Sequence, residues 1–223
     1  MPRMPDPAPA PPGVRTLAEF LHWLGDVPTE RILFRPPAGM ANVNDVVRIE
    51  RQENRLCELV CGVLVEKSLG YKEAAVAAAL MAALEQHVAA KQLGVVTGPE
   101  GAYRLGDHLV RIPSVAFCAS GTYPGNVTPG QAGPGVIPRL VAEVVDGVNS
   151  AELARKIEDY FTAGIKLVWV ADLGNHKVTA YTSLTKFKVI SASGTLEAGK
   201  VLSGFKMPVK ALFEHLGAGK RRK

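Results

Sequence analysis

A glutamate inside an otherwise apolar strand demands a physical reason. Glu143 sits between Leu140-Val141-Ala142 and Val144-Val145. A buried carboxylate without a partner is strongly disfavoured, so Glu143 must face a cation, a set of hydrogen-bond donors or a cleft. A purely structural salt bridge is the plain alternative. Lys156 lies on the helix expected next, beside the buried stripe Ala154, Ile157, Phe161 and Ile165. From there it could reach back over the sheet. A lysine so placed could orient a water, assist its deprotonation or stabilise a pentavalent phosphorane. The plain alternative is an exposed helix lysine. Upstream stands Arg111-Ile112-Pro113-Ser114-Val115-Ala116-Phe117. A Pro-Asp pair on one strand, a glutamate on the next and a lysine close by form a metal-dependent nuclease signature. Here the Asp position holds Ser114. A carboxylate is a hard anionic ligand for Mg²⁺, and a neutral hydroxyl replaces it poorly.

The elements that must position these residues follow from patterning. Thr16-Leu17-Ala18-Glu19 is a capping box, which predicts a helix to about Leu24. Residues 31–43, with Pro36, Pro37 and Gly39, read as loop, and Asn44 caps a short helix over 45–51. Leu56–Val60 and Val63–Glu66 read as two strand segments bent at Gly62, or one strand with a bulge. A long helix runs over 72–91, with Ala75, Ala79, Met81, Ala82 and Val88 as its packing face. Strands are expected at 95–96, 102–105, 109–117, 140–145, 166–171, 177–182 and 187–191. Asn149 or Ser150 starts a helix that Gly164 ends, and Pro208 opens a last helix to Leu216. The 119–138 stretch, rich in Gly and Pro, reads as a long loop of the kind that is either functional or disordered. Together these elements make an α/β fold, a mixed sheet flanked by helices.

The chain has 223 residues, enough for one domain with a sizeable core. The organisation expected is a Pro-rich tail over 1–13, a single domain over 14–216 and a basic tail over 217–223. A net charge of +5 is compatible with a nucleic-acid partner without demanding one. Cys57, Cys61 and Cys118 read as reduced, buried cysteines of a cytoplasmic protein, and no zinc set is completed. His22, His87, His108, His176 and His215 show no metal spacing. No apolar run is long enough for a membrane span, and no secretory signal core is present.

From about Leu17 to Phe213 the chain resembles the Uma-type restriction endonucleases of the PD-(D/E)XK nuclease superfamily. The resemblance rests on Cys57-Glu58-Leu59-Val60 with Gly62–Lys67, then Val110-Arg111-Ile112-Pro113 and Ala142-Glu143-Val144. It continues through Ala154-Arg155-Lys156 with Tyr160, Ala163–Trp169 with Asp172, and Leu202-Ser203-Gly204-Phe205. It implies a restriction-endonuclease-like fold, a site built from a metal-binding Asp, a metal-binding Glu and a catalytic Lys, and Mg²⁺ or Mn²⁺ as cofactor. Glu143 matches the Glu. Lys156 matches a lysine moved from the strand, where Val145 now stands, to the next helix. Glu73, early in the long helix, is a further site candidate, and Glu58 is an acid at the site edge. Arg104, Arg111 and Arg155, with Arg139, are the basic residues expected to face DNA, and a homodimer is the assembly implied.

Three departures matter. Ser114 replaces the metal-binding Asp, Cys61 stands where the family usually has an Asp before Gly62, and Asp146-Gly147-Val148-Asn149-Ser150 differs from the usual small polar turn after the Glu strand. The first predicts weak or absent metal binding, with Asp107 or Asp146 as acids that could take over. Three readings stay open: a nuclease fold with lost or much reduced cleavage, an active Mg²⁺-dependent endonuclease with a rearranged site, and a DNA-binding or protein-interaction scaffold.

Overall fold

The structure, a computed structural model, describes residues 8, 13–68, 70–122, 135–147 and 151–214. The Pro-rich segment, most of the 119–138 loop, the start of the Lys156 helix and the basic tail thus lie largely outside the described residues.

Thr16 caps α1 (Leu17–Trp23) through the reciprocal bonds of a capping box with Glu19. Then come a single 3-10 turn, β1 (Ile32–Leu33) and α2 (Val43–Glu53). The loop expected over 31–43 therefore contains a short strand, and the cap of α2 is Asn42, whose side chain accepts from the Asn44 N–H. Asp45 closes a second capping box there, a signal two residues upstream of the one expected.

β2 (Cys57–Val60) and β3 (Val63–Glu66) form a hairpin. Cys61 and Gly62, at φ 46° and 73°, make its two-residue turn. The pattern around Gly62 thus marks a reversal, not a bulge. Left-handed conformation at both central positions suits the twist of the strands. A Cβ on Gly62 would stand 2.5 Å from the Gly39 backbone, so this position tolerates only glycine. Cys61 is less suited to its own position. Asparagine enters the left-handed region more readily than cysteine. Cys61→Asn is expected to stabilise the protein by up to about 1 kcal/mol. A thermal melt checks this, with an expected rise of roughly 2–4 °C.

α3 (Tyr71–Ala90) buries Val76, Ala77, Leu80, Leu84 and Val88. The expected face was offset, since Ala82 is exposed. Small residues surround this helix almost completely, so the alanines could not mark its inner side. The larger Val and Leu residues do.

Next are β4 (Gly94–Thr97), β5 (Tyr103–Gly106), β6 (Leu109–Arg111) and β7 (Val115–Ala119). The single strand expected over 109–117 is two strands, and they belong to different sheets. The break falls at Ile112-Pro113-Ser114. Pro113 has no N–H to give to a ladder, which favours a break there. After it run β8 (Leu140–Val145), α4 (Ala151–Thr162), β9 (Leu167–Asp172), β10 (Lys177–Tyr181) and β11 (Phe187–Ile190). A hairpin of β12 (Thr195–Glu197) and β13 (Lys206–Pro208), not read from the sequence, leads into α5 (Val209–Phe213).

The large sheet has the order β11-β10-β9-β8-β7-β4. Its β8–β9 pair is parallel and joined through α4, and its other pairs are antiparallel. Alternation along the strands divides its two faces. Phe117, Ala142 and Trp169 pack with Leu80 and Leu84 of α3, while Ala116, Val141 and Val168 pack with Ile157 and Tyr160 of α4. The small antiparallel sheet, β1-β3-β2-β6-β5, packs Leu59, Leu64 and Val110 against α2, and Val60, Val63 and Val65 against the α1 region. The Ile112–Ser114 link is where the chain passes from one sheet to the other. Functional side chains gather around it.

Candidate functional site

Strand register brings the first pair together. Val115 pairs with Ala142 in the antiparallel β7–β8 ladder. Continuing that register by one residue sets Ser114 opposite Glu143. Both lie on the α4 face, since Ala116 and Val141 share it. The Ser114 hydroxyl donates to Glu143 Oε2 at 3.3 Å and accepts from the Val144 N–H at 3.2 Å.

α4 supplies the next layer. Glu152, Lys156 and Tyr160 recur every four residues on one side of the helix. The Tyr160 hydroxyl donates to Glu143 Oε1 at 2.5 Å. Burial, and then the Glu143 charge, push the Tyr160 phenol well above its ordinary value, so it stays protonated as a donor. Lys156 Nζ is 3.0 Å from Glu58 Oε1 and 3.9 Å from both Glu143 Oε1 and Glu152 Oε1. Burial acts to lower its pKa, but Glu143 and Glu58 outweigh that and raise it. Lys156 is a fully charged, firmly paired ammonium and a poor proton acceptor.

A buried ionic network ties the small sheet to this layer. Arg111 Nη1 donates to Glu58 Oε2 at 2.7 Å, and Arg111 Nη2 and Nε donate to Asp159 Oδ2 at 2.5 and 3.0 Å. The Ile112 N–H donates to Glu58 Oε1 at 3.0 Å. Lys67, just past β3, donates to the Ile112 carbonyl. Burial alone would raise the Glu58 carboxyl. Lys156, Arg111, Lys67 and the Ile112 N–H overcome it and hold Glu58 well below the usual carboxylate range.

That depression fixes a pH dependence. A folded value below the unfolded one stabilises the protein above the unfolded pKa, and the stabilisation is lost as pH falls through the folded value. The melting temperature is therefore expected to fall as pH drops below about 4.3, the unfolded glutamate value. Glu58→Gln should flatten this acid limb. An equal slope in both proteins would place the acid sensitivity elsewhere.

The group opens into a cleft of about 330 Å³. Ser114, Glu143, Lys156 and Glu73 all line it, as do Arg31, Lys67, Gly70, Asp146 and Glu152. The residues expected at the site are therefore neighbours. Glu73 folds back on the start of its helix, so that a Cβ on Gly70 would stand 1.9 Å from its Oε2. Of the two acids that could take over for Ser114, Asp146 lines the cleft, while Asp107 is exposed and paired with Arg104 at 2.7 Å.

The arginines expected to face DNA are placed otherwise. Arg111 is 3% exposed and held by two carboxylates, so it does not contribute to a basic surface. Its spacing in β6 resembles that of an outward residue, but the acids of β2 and α4 draw it inward. Arg155 lies over the Trp23 ring at 4.1 Å and pairs with Glu158 and Asp159. Arg104 is bound to Asp107, and Arg139 is exposed at the start of β8, the end away from the first turn of α4.

The family model of Uma2, described as "Putative restriction endonuclease", matches residues 43–210, about three quarters of the chain. The chain belongs to this family. Among solved structures it is similar to the crystal structure of a "putative nuclease belonging to DUF820" from Anabaena variabilis ATCC 29413. The TM-score is 0.61 at 14% identity, over 72% of this chain and 90% of that one. At that identity the likeness shows the shared restriction-endonuclease-like fold. No curated protein matches.

Uma2 proteins are thus the frame for the cleft, and the superfamily resemblance implies a divalent metal ion there. The residues present do not fit one. Glu143 has both oxygens engaged, by Tyr160 and Ser114, and a lysine ammonium 3.9 Å away. Glu58 and Asp159 are bound by Lys156 and Arg111, and Glu143 has Lys156 beside it, so a doubly charged ion would have to displace cations that already compensate these carboxylates. Among the described residues no three His, Cys, Asp or Glu side chains are grouped to hold a metal.

Sequence reading missed Lys67, Arg31 and Glu152 as cleft residues. Arg31 grips Glu152 with two bonds, at 2.8 and 3.0 Å, across 121 residues of chain. No local pattern encodes so distant a pair. Lys67 follows a strand, where a lysine ordinarily reads as a solvated end.

Proposed function

We propose that this Uma2 protein is a nuclease-fold protein whose metal-dependent DNA cleavage is lost or much reduced. The observation that carries the reading is Ser114, a neutral hydroxyl 3.3 Å from Glu143 Oε2 where a second carboxylate would be required. What remains around Glu143 supports binding and positioning. Tyr160 and Ser114 orient the carboxylate, Lys156 neutralises it, and the Arg111 network holds α4 against the small sheet. DNA is the proposed partner. Glu143 is the residue that would hold a metal ion if a second carboxylate were supplied. Glu73 and Asp146, on the cleft wall, are the acids nearest to that role.

A homodimer is proposed through the free edge of the large sheet. There β11 leaves Phe187 and Val189 57% and 52% exposed. Sedimentation velocity checks it, and a monomer at all accessible concentrations would remove it.

The deciding experiment is nicking of supercoiled plasmid with Mg²⁺ or Mn²⁺, comparing the natural protein with Ser114→Asp. A silent natural protein beside an active variant is the expected result. Natural cleavage that disappears with EDTA and in Lys156→Ala would instead establish a rearranged, working site.

A further inference from the structure

Residues 16–31 precede the stretch 43–210 matched by the family model, yet Arg31 forms part of the cleft wall. Their hold on the rest of the protein is thin. α1 has seven residues and buries none of them. A helix so short has little stability of its own. Between Thr16 and Arg31 the buried side chains are Leu24 and Val27, which pack on Val60, Val63 and Val65 of the small sheet.

The other attachments gather on the first turns of α4. Gly25, at φ 94°, lies so close to that helix that a Cβ there would stand 2.4 Å from the Glu152 backbone nitrogen. The Trp23 ring covers the Arg155 guanidinium at 4.1 Å. Arg31 takes both oxygens of Glu152, at 2.8 and 3.0 Å, and also donates to the Glu66 carbonyl at 2.8 Å. The segment thus rests on the same helix that brings Lys156 and Tyr160 to Glu143.

We propose that residues 16–31 form a latch over the cleft, fastened by the Arg31–Glu152 pair and able to open while both sheets stay folded. The contrast lies in what holds each part. β8 and β9 are buried almost along their whole length. The latch depends on two apolar side chains, one stacked cation and one partly buried ion pair. Segments held by few buried contacts open locally, well below the free energy of global unfolding. Opening takes Arg31 out of the cleft wall, which then sets Glu73, Glu143, Asp146 and Glu152 against Lys67 and Lys156. In the closed form Lys156 keeps to Glu58 at 3.0 Å. In the open form Glu152 is left with Lys156, 3.9 Å away, as its nearest cation. Access to Ser114 and Glu143, and the charge around them, both follow the latch. This holds whatever the cleft binds, so it stands or falls apart from the reading of lost cleavage.

Amide hydrogen exchange, followed by NMR on the full chain, tests the latch. The Phe20, Leu24 and Asp26 amides donate to the carbonyls of Thr16, Phe20 and Leu21 and report on it. Trp169 and Val170, in β9, report on the core. In the natural protein the latch amides are expected to exchange at least about 100-fold faster than those of β9. Arg31→Gln should speed the latch about tenfold more, the worth of one charge-assisted pair, and leave β9 unchanged. Glu152→Gln should act alike, and the double variant should exceed neither. Control of the cleft is read from Ser114→Cys, at a position only 4% exposed. Modification by N-ethylmaleimide is located by peptide mass spectrometry, which separates position 114 from Cys57, Cys61 and Cys118. Adding Arg31→Gln should speed it about tenfold, in step with the latch. Latch amides as slow as β9 in the natural protein overturn the proposal, even if a variant fails to fold. Equal acceleration of latch and core by Arg31→Gln overturns it too, as does no acceleration. Faster latch exchange with unchanged labelling at position 114 overturns its control of the cleft.

Discussion

Arg111→Met is expected to destabilise the protein by about 3–5 kcal/mol, the cost of breaking a buried ion pair from one side. Arg111 is 3% exposed and divides its guanidinium between Glu58 and Asp159. Methionine fills similar volume, so lost packing contributes little. The cost comes from two carboxylates left in the interior with fewer partners. Glu58 keeps Lys156 and the Ile112 N–H, and Asp159 keeps Arg155 at 3.3 Å, so neither is wholly abandoned. The unfolding midpoint should fall by roughly 6–20 °C for a chain of this size. The paired change Arg111→Met with Glu58→Gln should recover part of the loss, because it removes a buried charge along with its partner. A loss below about 1 kcal/mol, the level of an exposed pair, would mean that water reaches the network. Urea unfolding of the single and double variants measures both numbers.

How far the sequence alone discloses this site depends on the range of each signal. Glu143 is conspicuous because a charge interrupts an apolar strand, whereas its place opposite Ser114 comes from the β7–β8 register, which needs the structure. Lys156 follows from helical spacing, beside an expected stripe whose Ala154 is in fact exposed, while Tyr160 enters only through the resemblance. The interrupted strand and the helical spacing are local patterns. The Arg111–Glu58–Asp159 network is not local: its members are 53 and 48 residues apart and meet only because β6 and β2 are neighbours under α4. Each could be seen as an unusual charge, but not whom it meets. The expectation that Arg111 faces outward therefore fails: it is the most enclosed cation of the site. The break at Pro113 is visible in the sequence as a missing donor. Its consequence, a strand shared out between two sheets, needs the partner strands. The buried face of α3 is not legible from its alanines, because alanine carries too little hydrophobic contrast to mark a side. Burial there is decided by the few Val and Leu residues.

Ser114→Asp should produce two changes of opposite sign, and their combination is the sharpest test of the cleft. Without metal, the new carboxylate stands next to Glu143, where the hydroxyl oxygen is now 3.3 Å from Oε2. Two carboxylates that close cannot both ionise cheaply, so one takes up a proton and the metal-free protein melts lower than the natural one. It also loses the hydrogen bond that the hydroxyl now donates. With Mg²⁺ or Mn²⁺ the same pair becomes a hard, anionic ligand set. Binding to the folded state alone then raises the melting temperature with ion concentration. The natural protein, with Lys156 already beside its one carboxylate at this position, should show no such rise. Plasmid nicking should increase by about 100- to 1,000-fold over the natural protein, the range associated with one electrostatic contributor to a transition state. A metal-dependent melting shift without nicking would separate the two steps. It would mean that the ligand set is restored while Lys156, locked on Glu58 at 3.0 Å, remains too engaged to serve the chemistry. Neither shift nor nicking would mean that the loss of cleavage extends beyond Ser114, to the cations that already engage Glu143 and Glu58.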